Sequence, residues 1–228
     1  MLLKDIKDIT KEEFLELFAR CELFNYNICE DVQFDIIDDN ICVDLSDIHE
    51  RSLIVPDFID GIIGSEYHNL FLRELDLNKV KVIYKNGLEN FTLTFIKADN
   101  LERIESYGLS NNGQLFQLEF PKLKYLGYRA LDRCCNLREL KAEELLKMDS
   151  YVFDETFLDK IYAPNISEIA LIARKIWVQG LMNFELKDDK VIEVDFGDIS
   201  RNDLYIDKQL FKFKDIHSGE IINLRNSR

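Results

Sequence analysis

A pair of apolar residues, three apart, recurs down this chain at a nearly constant interval. Leu101 and Ile104 are followed by Leu123/Leu126, Leu145/Met148 and Ile166/Ile169. They are preceded by Val80/Ile83 and Ile59/Ile62, and every step is 21 or 22 residues. A second column runs Tyr67, Leu88, Leu109, Leu131, Phe153. A third runs as pairs: Leu72/Leu75, Leu93/Ile96, Leu115/Leu118, Leu137/Leu140, Leu158/Ile161. Three columns that keep register over five units predict a solenoid. A unit of this length cannot bury its apolar face alone, and stacking makes one continuous core.

Each unit closes on a short segment: "LRELDL", "LTFIKA", "LFQLEF", "LRELKA", "LDKIYA". Its last four residues alternate as a strand does. Pro56, Pro121 and Pro164 follow such segments, where proline ends pairing without removing a central ladder bond. Residues 72–77, 93–98, 115–120, 137–142 and 158–163 are therefore predicted to lie side by side as parallel strands of one sheet. With Leu or Ile turned inward, two columns point outward. One is Glu74, Phe95, Gln117, Glu139, Lys160; the other is Asp76, Lys97, Glu119, Lys141, Tyr162.

The stretch "LKYLGYRALDRCCNLREL" (123–140) resembles one unit of the BspA-like leucine-rich repeat. The matching positions are Leu126-Gly127, Ala130-Leu131, Cys134, Leu137 and Leu140. The likeness covers about residues 54–170 and is degenerate: Gly108-Leu109 and Val152-Phe153 stand for Ala-Phe. It implies an α/β-type, mostly β solenoid with short parallel strands on a concave side and an irregular convex side. For function it implies binding, with diverse partners.

Three parts are expected: an acidic cap over residues 1–53, repeats over 54–170, and a β-rich cap over 171–228. Thr10 and Glu13 form a capping box before Phe14, Leu17, Phe18 and Cys21, so residues 10–21 read as an amphipathic helix. "VQFDIIDDNICVDL" (32–45) reads as a hairpin turning at Asp38-Asp39-Asn40. At the far end "ARKIWVQG" reads as a short strand and "FELKDDKVIEVDF" as a hairpin at Asp188-Asp189. "DKQLFKFKDIHSGEIINL" reads as a β segment turning at Ser218-Gly219.

The charge of −14 is unevenly placed. Residues 1–60 hold 5 Lys/Arg against 16 Asp/Glu. Such a surface repels nucleic acid and membranes and attracts basic partners. No apolar run spans a membrane, and the charged N-terminus lacks the apolar core of a secretory signal. Five cysteines without metal-ligand spacing read as reduced thiols of a cytoplasmic protein.

Chemistry is sparse. His49, His68 and His217 have no metal-binding spacing, and no GxSxG elbow or phosphate loop is present. "DIIDDN" lacks the glycine and closing glutamate of a calcium loop. Residues 121–141 carry a net +4 with Tyr125 and Tyr128 interleaved, which reads as basic solvating residues of one repeat. No cofactor and no metal site is expected. The leading expectation is a non-enzymatic module that binds another protein through its concave face. The alternative is an acidic inhibitor of phage or mobile-element type, similar to anti-CRISPR proteins. It would block a basic nucleic-acid groove through Asp31, Asp35, Asp38, Asp39, Asp44 and Asp47. An enzyme built on the caps ranks last.

Overall fold

A computed structural model describes the chain except residues 1, 7, 25–28, 65–67, 159, 171–183, 186–190, 196–210, 216–218, 220 and 225–228. A 3-10 turn, Leu3–Ile6, and one helix, α1 (Lys11–Phe24), precede the strands. The capping box forms reciprocally. Thr10 Oγ1 accepts from Glu13 N–H (3.2 Å), and Glu13 Oε2 accepts from Thr10 N–H (2.8 Å).

The hairpin is β1 (Gln33–Ile37) and β2 (Asn40–Asp44), antiparallel, with Ile37 opposite Asn40. Asp38 and Asp39 both have positive φ, 51° and 64°. That is the type I′ turn, whose twist matches the strands it joins. Then follow β3 (Ser52–Ile54), β4 (Gly61–Ile63), β5 (Glu74–Asp76), β6 (Val82–Ile83), β7 (Phe95–Lys97), β8 (Arg103–Ile104) and β9 (Gln117–Glu119). The series continues with β10 (Tyr125–Leu126), β11 (Glu139–Lys141), β12 (Lys147–Met148), β13 (Lys160–Tyr162), β14 (Glu168–Ala170) and β15 (Phe184–Glu185). It ends with β16 (Val191–Asp195), β17 (Phe211–Asp215) and β18 (Ile221–Leu224).

These strands build a mostly β solenoid, as the repeat predicts, with two strands per coil where one was expected. The even-numbered strands, with β1 at one end and β17 near the other, form a long sheet in the order β1-β2-β4-β6-β8-β10-β12-β14-β16-β17-β18. It is parallel from β2 to β17 and closes at each end on an antiparallel hairpin. The remaining odd-numbered strands, β3 to β15, lie on a second side, in parallel ladders β3-β5-β7 and β9-β11-β13-β15. The apolar pairs read as convex coil, such as Leu101/Ile104, thus supply a second strand: Ile104 pairs with Ile83 and Leu126.

A third side is built from tandem turns. Asn86, Tyr107, Arg129 and Tyr151 take positive φ, as do Asn90, Asn111, Arg133 and Glu155 four residues on. The turns form a coil-to-coil ladder of their own. Leu88 N–H donates to Gly108 O (2.8 Å), Leu109 N–H to Ala130 O (2.9 Å) and Leu131 N–H to Val152 O (3.0 Å). Gly127 permits close stacking here: a Cβ on it would stand 2.8 Å from the main chain of Glu105 and Ser106.

The columns line the interior. Leu75, Ile96, Leu118, Leu140 and Ile161 are buried from the short-sheet side, and Ile62, Ile83, Ile104, Leu126 and Met148 from the long sheet. Leu88, Leu109 and Leu131 are buried from the turns, while Phe153 is only partly so, and Tyr67 lies outside the described residues. Helix α1 covers the first coil through Phe14, whose ring lies 4.6 Å from that of Phe58 and 4.9 Å from Phe34. Lys11 ties the helix down by an ion pair to Asp60 (2.5 Å).

Two further expectations are corrected. The five predicted strands do not share one sheet, because the ladder is interrupted between β7 and β9. The interruption falls where the offset between the two sides lengthens, from 13 positions (Val82 to Phe95) to 14 (Arg103 to Gln117); the return to 13 (Lys147 to Lys160) keeps its ladder. Nor do β15 and β16 form a hairpin at Asp188-Asp189. Each extends a parallel ladder, β15 beside β13 and β16 beside β14. Their alternating pattern is the same for a hairpin and for another coil, and the stacked ladder offers both strands a partner. β17 and β18 are antiparallel and Gly219 has φ +69°, while Ser218 of the expected turn lies outside the described residues. The proposed strand in "ARKIWVQG" lies outside the described residues.

Candidate functional site

The short-sheet side carries the predicted outward columns in register. Glu74 pairs with Phe95, and Asp76 with Lys97. Gln117, Glu139 and Lys160 align across β9, β11 and β13, as do Glu119, Lys141 and Tyr162. Glu74, Phe95, Lys97, Gln117 and Glu119 are exposed; Asp76, Glu139, Lys141 and Tyr162 are half-buried. The interrupted ladder splits each column in two, between Phe95 and Gln117 and between Lys97 and Glu119. Strand β3 adds Ser52 and Ile54 at the head of the columns.

The charges on this side largely answer one another. Lys97 binds Asp76 (3.1 Å) and Asp99 (3.5 Å), and the Asp76 hydrogen bond pushes the lysine pKa up. Lys141 stands 3.9 Å from Glu119. Phenylalanines remain. Phe71, Phe95, Phe116 and Phe157 are 55–61% exposed, and Ile54 is 66% exposed. Of these only Phe95 belonged to the expected columns. Phe116 stands one residue before β9; Phe71 and Phe157 stand three before β5 and β13. Strict alternation looks past such positions. Their signal was available all the same: large apolar residues that lie off every inward column. Arg138 lies over the Phe157 ring (5.9 Å), and the His49 ring lies tilted against that of Phe71 (4.8 Å).

The six aspartates of the acidic quarter do not form one group. Asp31 accepts from Leu3 N–H (3.0 and 3.3 Å), and Asp44 from Ser46 N–H (2.8 Å). Both are half-buried and hold local backbone. Asp35, Asp38, Asp39 and Asp47 are exposed. Asp38 and Asp39 sit at the hairpin tip, with Asp35 on the same edge strand.

Of the basic stretch, Lys124, Arg129, Arg133 and Lys141 are ion-paired. Lys122 donates to Asn100 Oδ1 (2.8 Å), Lys124 to Glu102 (2.9 Å), and Arg133 pairs with Glu155 (3.4 Å). Arg129 bridges Asp132 (3.0 Å) and Asp154 (3.2 Å) and lies over the rings of Tyr128 and Tyr151. Tyr107, Tyr128 and Tyr151 meet edge to face at 5.6 Å, one from each coil. Asp132 is buried, and burial pushes its carboxyl pKa up against the pull of Arg129. This side is a load of mutual contacts within the turn ladder.

The cysteines are all free: Cys29, Cys42 and Cys134 are buried and Cys135 is exposed. Cys134 has a structural use, since its Sγ reaches Leu109 O of the preceding coil (3.3 Å). Asn112 and Thr156 do the same for Leu88 O (2.7 Å) and Leu131 O (2.9 Å). Among the described residues no group of three His, Cys, Asp or Glu is placed to hold a metal, and no helix is long and apolar enough to cross a membrane. Compared with known proteins, the chain matches no family model, no curated protein and no solved structure.

Proposed function

We propose that this chain is a non-enzymatic protein-binding module whose contact surface is the outward side of the short sheets, the side taken as concave in a leucine-rich repeat. The observation that carries the reading is the set of Phe71, Phe95, Phe116 and Phe157, each more than half exposed on or beside the short strands. Exposed aromatic side chains set among paired charges have the makeup of an interface core with a polar rim. Fully burying one phenylalanine is worth about 1.5–3 kcal/mol, so each is a candidate anchor.

The test begins with a photo-cross-linking residue at position 116, used to trap and identify a partner in the native source. Phe95→Ala and Phe116→Ala are then each expected to weaken binding at least about tenfold, since a hot spot contributes more than about 1.4 kcal/mol. Their thermal melts should match the parent, because the side chains are exposed. Affinity unchanged in both variants would move the binding surface elsewhere.

A second reading keeps the acidic quarter as the contact. It is favoured by the exposure of Asp35, Asp38, Asp39 and Asp47 around one hairpin. In it the hairpin enters a basic groove of a target protein, as an inhibitor would, and association is steered by charge.

A further inference from the structure

The interruption between β7 and β9 is the only coil boundary among the described residues where the short-sheet side lacks its ladder. At the boundary before it, Thr94 N–H donates to Arg73 O (2.8 Å) and Leu77 N–H to Lys97 O (2.8 Å). At the boundary after it, Arg138 N–H donates to Phe116 O (2.9 Å) and Phe120 N–H to Lys141 O (2.8 Å). The equivalent donors at the interruption are Phe116 N–H and Ala98 N–H, and neither has a main-chain acceptor.

Side chains tell the same story. Of the four buried side-chain polar atoms without a hydrogen-bond partner among the described residues, two flank the interruption. They are Thr92 Oγ1, three residues before β7, and Asn112 Oδ1, five before β9, although Asn112 Nδ2 still reaches Leu88 O on the turn side. The other two, Asn86 Oδ1 and Asp132 Oδ1, lie in the turns. Buried polar atoms left unpaired weaken the packing around them. At the corner after the strand, Asn100 and Asn165 each donate to a main-chain carbonyl of the preceding coil, at 2.8 Å. Lys122 holds that corner beyond β9 and reaches only the Asn100 side chain.

The other two sides stay closed at the same boundary. On the long sheet Glu102 N–H donates to Lys81 O (2.7 Å) and Glu105 N–H to Ile83 O (2.8 Å). On the turn side Asn86 N–H donates to Ser106 O (3.1 Å) and Asn90 N–H to Ser110 O (3.0 Å).

We infer that this boundary is a hinge: the coils ending at β7 and those beginning at β8 tilt apart on the short-sheet side, about the intact long sheet and turn ladder. One open edge beside two closed ones leaves this motion the least opposed. Opening widens the gap between Phe95 and Phe116, so the hinge sets the spacing of two exposed aromatic residues. The inference concerns the scaffold and stands whether or not the short-sheet side binds a protein.

Two measurements test it on the full chain. By hydrogen exchange, the amides of Ala98 and Phe116 should exchange at least about tenfold faster than their equivalents Leu77 and Arg138, since protection follows the free energy of local opening. Paired spin labels read the motion itself, in a Cys21→Ser, Cys135→Ser background. Ser52→Cys with Glu139→Cys reports across the boundary on the short-sheet side; Val82→Cys with Glu168→Cys reports across it on the long sheet. Each pair is four coils apart, roughly 19 Å at strand spacing. The short-sheet pair should give a distance distribution clearly broader than the long-sheet pair. Equal widths, or Ala98 and Phe116 amides as protected as Leu77 and Arg138, would overturn the hinge.

Discussion

Leu140 shows at the scale of one residue what holds a coil in place. It is fully buried between Leu118 and Ile161 on the two neighbouring strands. Leu140→Asp puts an unpaired charge into that stack. It should destabilise the protein by more than about 4 kcal/mol or unfold it, which loss of the thermal transition by circular dichroism would show. A melt equal to the parent would mean that the side chain does not point inward. The thiols give a second prediction. Burial pushes Cys29 and Cys134 up to about 12 and Cys42 up to about 11, from an ordinary 9.0. Above pH 9 the unfolded chain therefore releases thiol protons that the folded chain retains. The stability these groups contribute is complete below pH 9 and is lost as pH rises from 9 towards 12. Native protein at pH 8 should show Cys135 reacting fast with a thiol reagent, Cys21 more slowly, and the other three only on unfolding. Fast reaction of Cys134 would contradict its burial.

The element with most at stake is the edge strand β1, which leaves its outer side open to other strands. Asp35 guards it, since its Oδ1 accepts from the Ile36 N–H (2.8 Å) and its charge is exposed. Charge at an edge deters pairing with another chain. Asp35→Val frees that donor beside Ile36, itself 40% exposed. The variant should self-associate at concentrations where the parent stays monodisperse, as sedimentation velocity can read. Identical sedimentation would show that the edge is protected by something other than Asp35. The helix and hairpin that cover the first coil were legible because each carries its own local signal. Thr10 and Glu13 are three residues apart, and alternating apolar residues flank Asp38-Asp39. Strands β15 and β16 were misread because a coil and a hairpin share one local pattern, and only the neighbouring ladder separates them.

At the scale of the whole molecule the question is which surface meets a partner. The four exposed aspartates Asp35, Asp38, Asp39 and Asp47 can be replaced by Asn with side-chain shape nearly kept. If the acidic hairpin enters a basic groove, that variant should associate more slowly and with a flatter salt dependence. Its dissociation rate should change less, because a long-range field acts over about 8 Å at physiological salt. If the short sheets are the contact, neither rate should move. Surface plasmon resonance at two salt concentrations separates the two, with Asp31 and Asp44 left intact because they hold backbone N–H groups.

The solenoid and its inward columns follow from the order of residues alone, because a strict interval of apolar residues has no other way to reach a common core. The outward columns follow too, since a strand must alternate. That each coil carries two strands emerges only when the coils stack. The two-residue strands of the long sheet are too short to alternate visibly, and their neighbours define them. The pairing of the basic stretch and the open edge between β7 and β9 were likewise decided by stacking. Each depends on what the adjacent coil places alongside, some 21 or 22 residues away, and no local pattern encodes that.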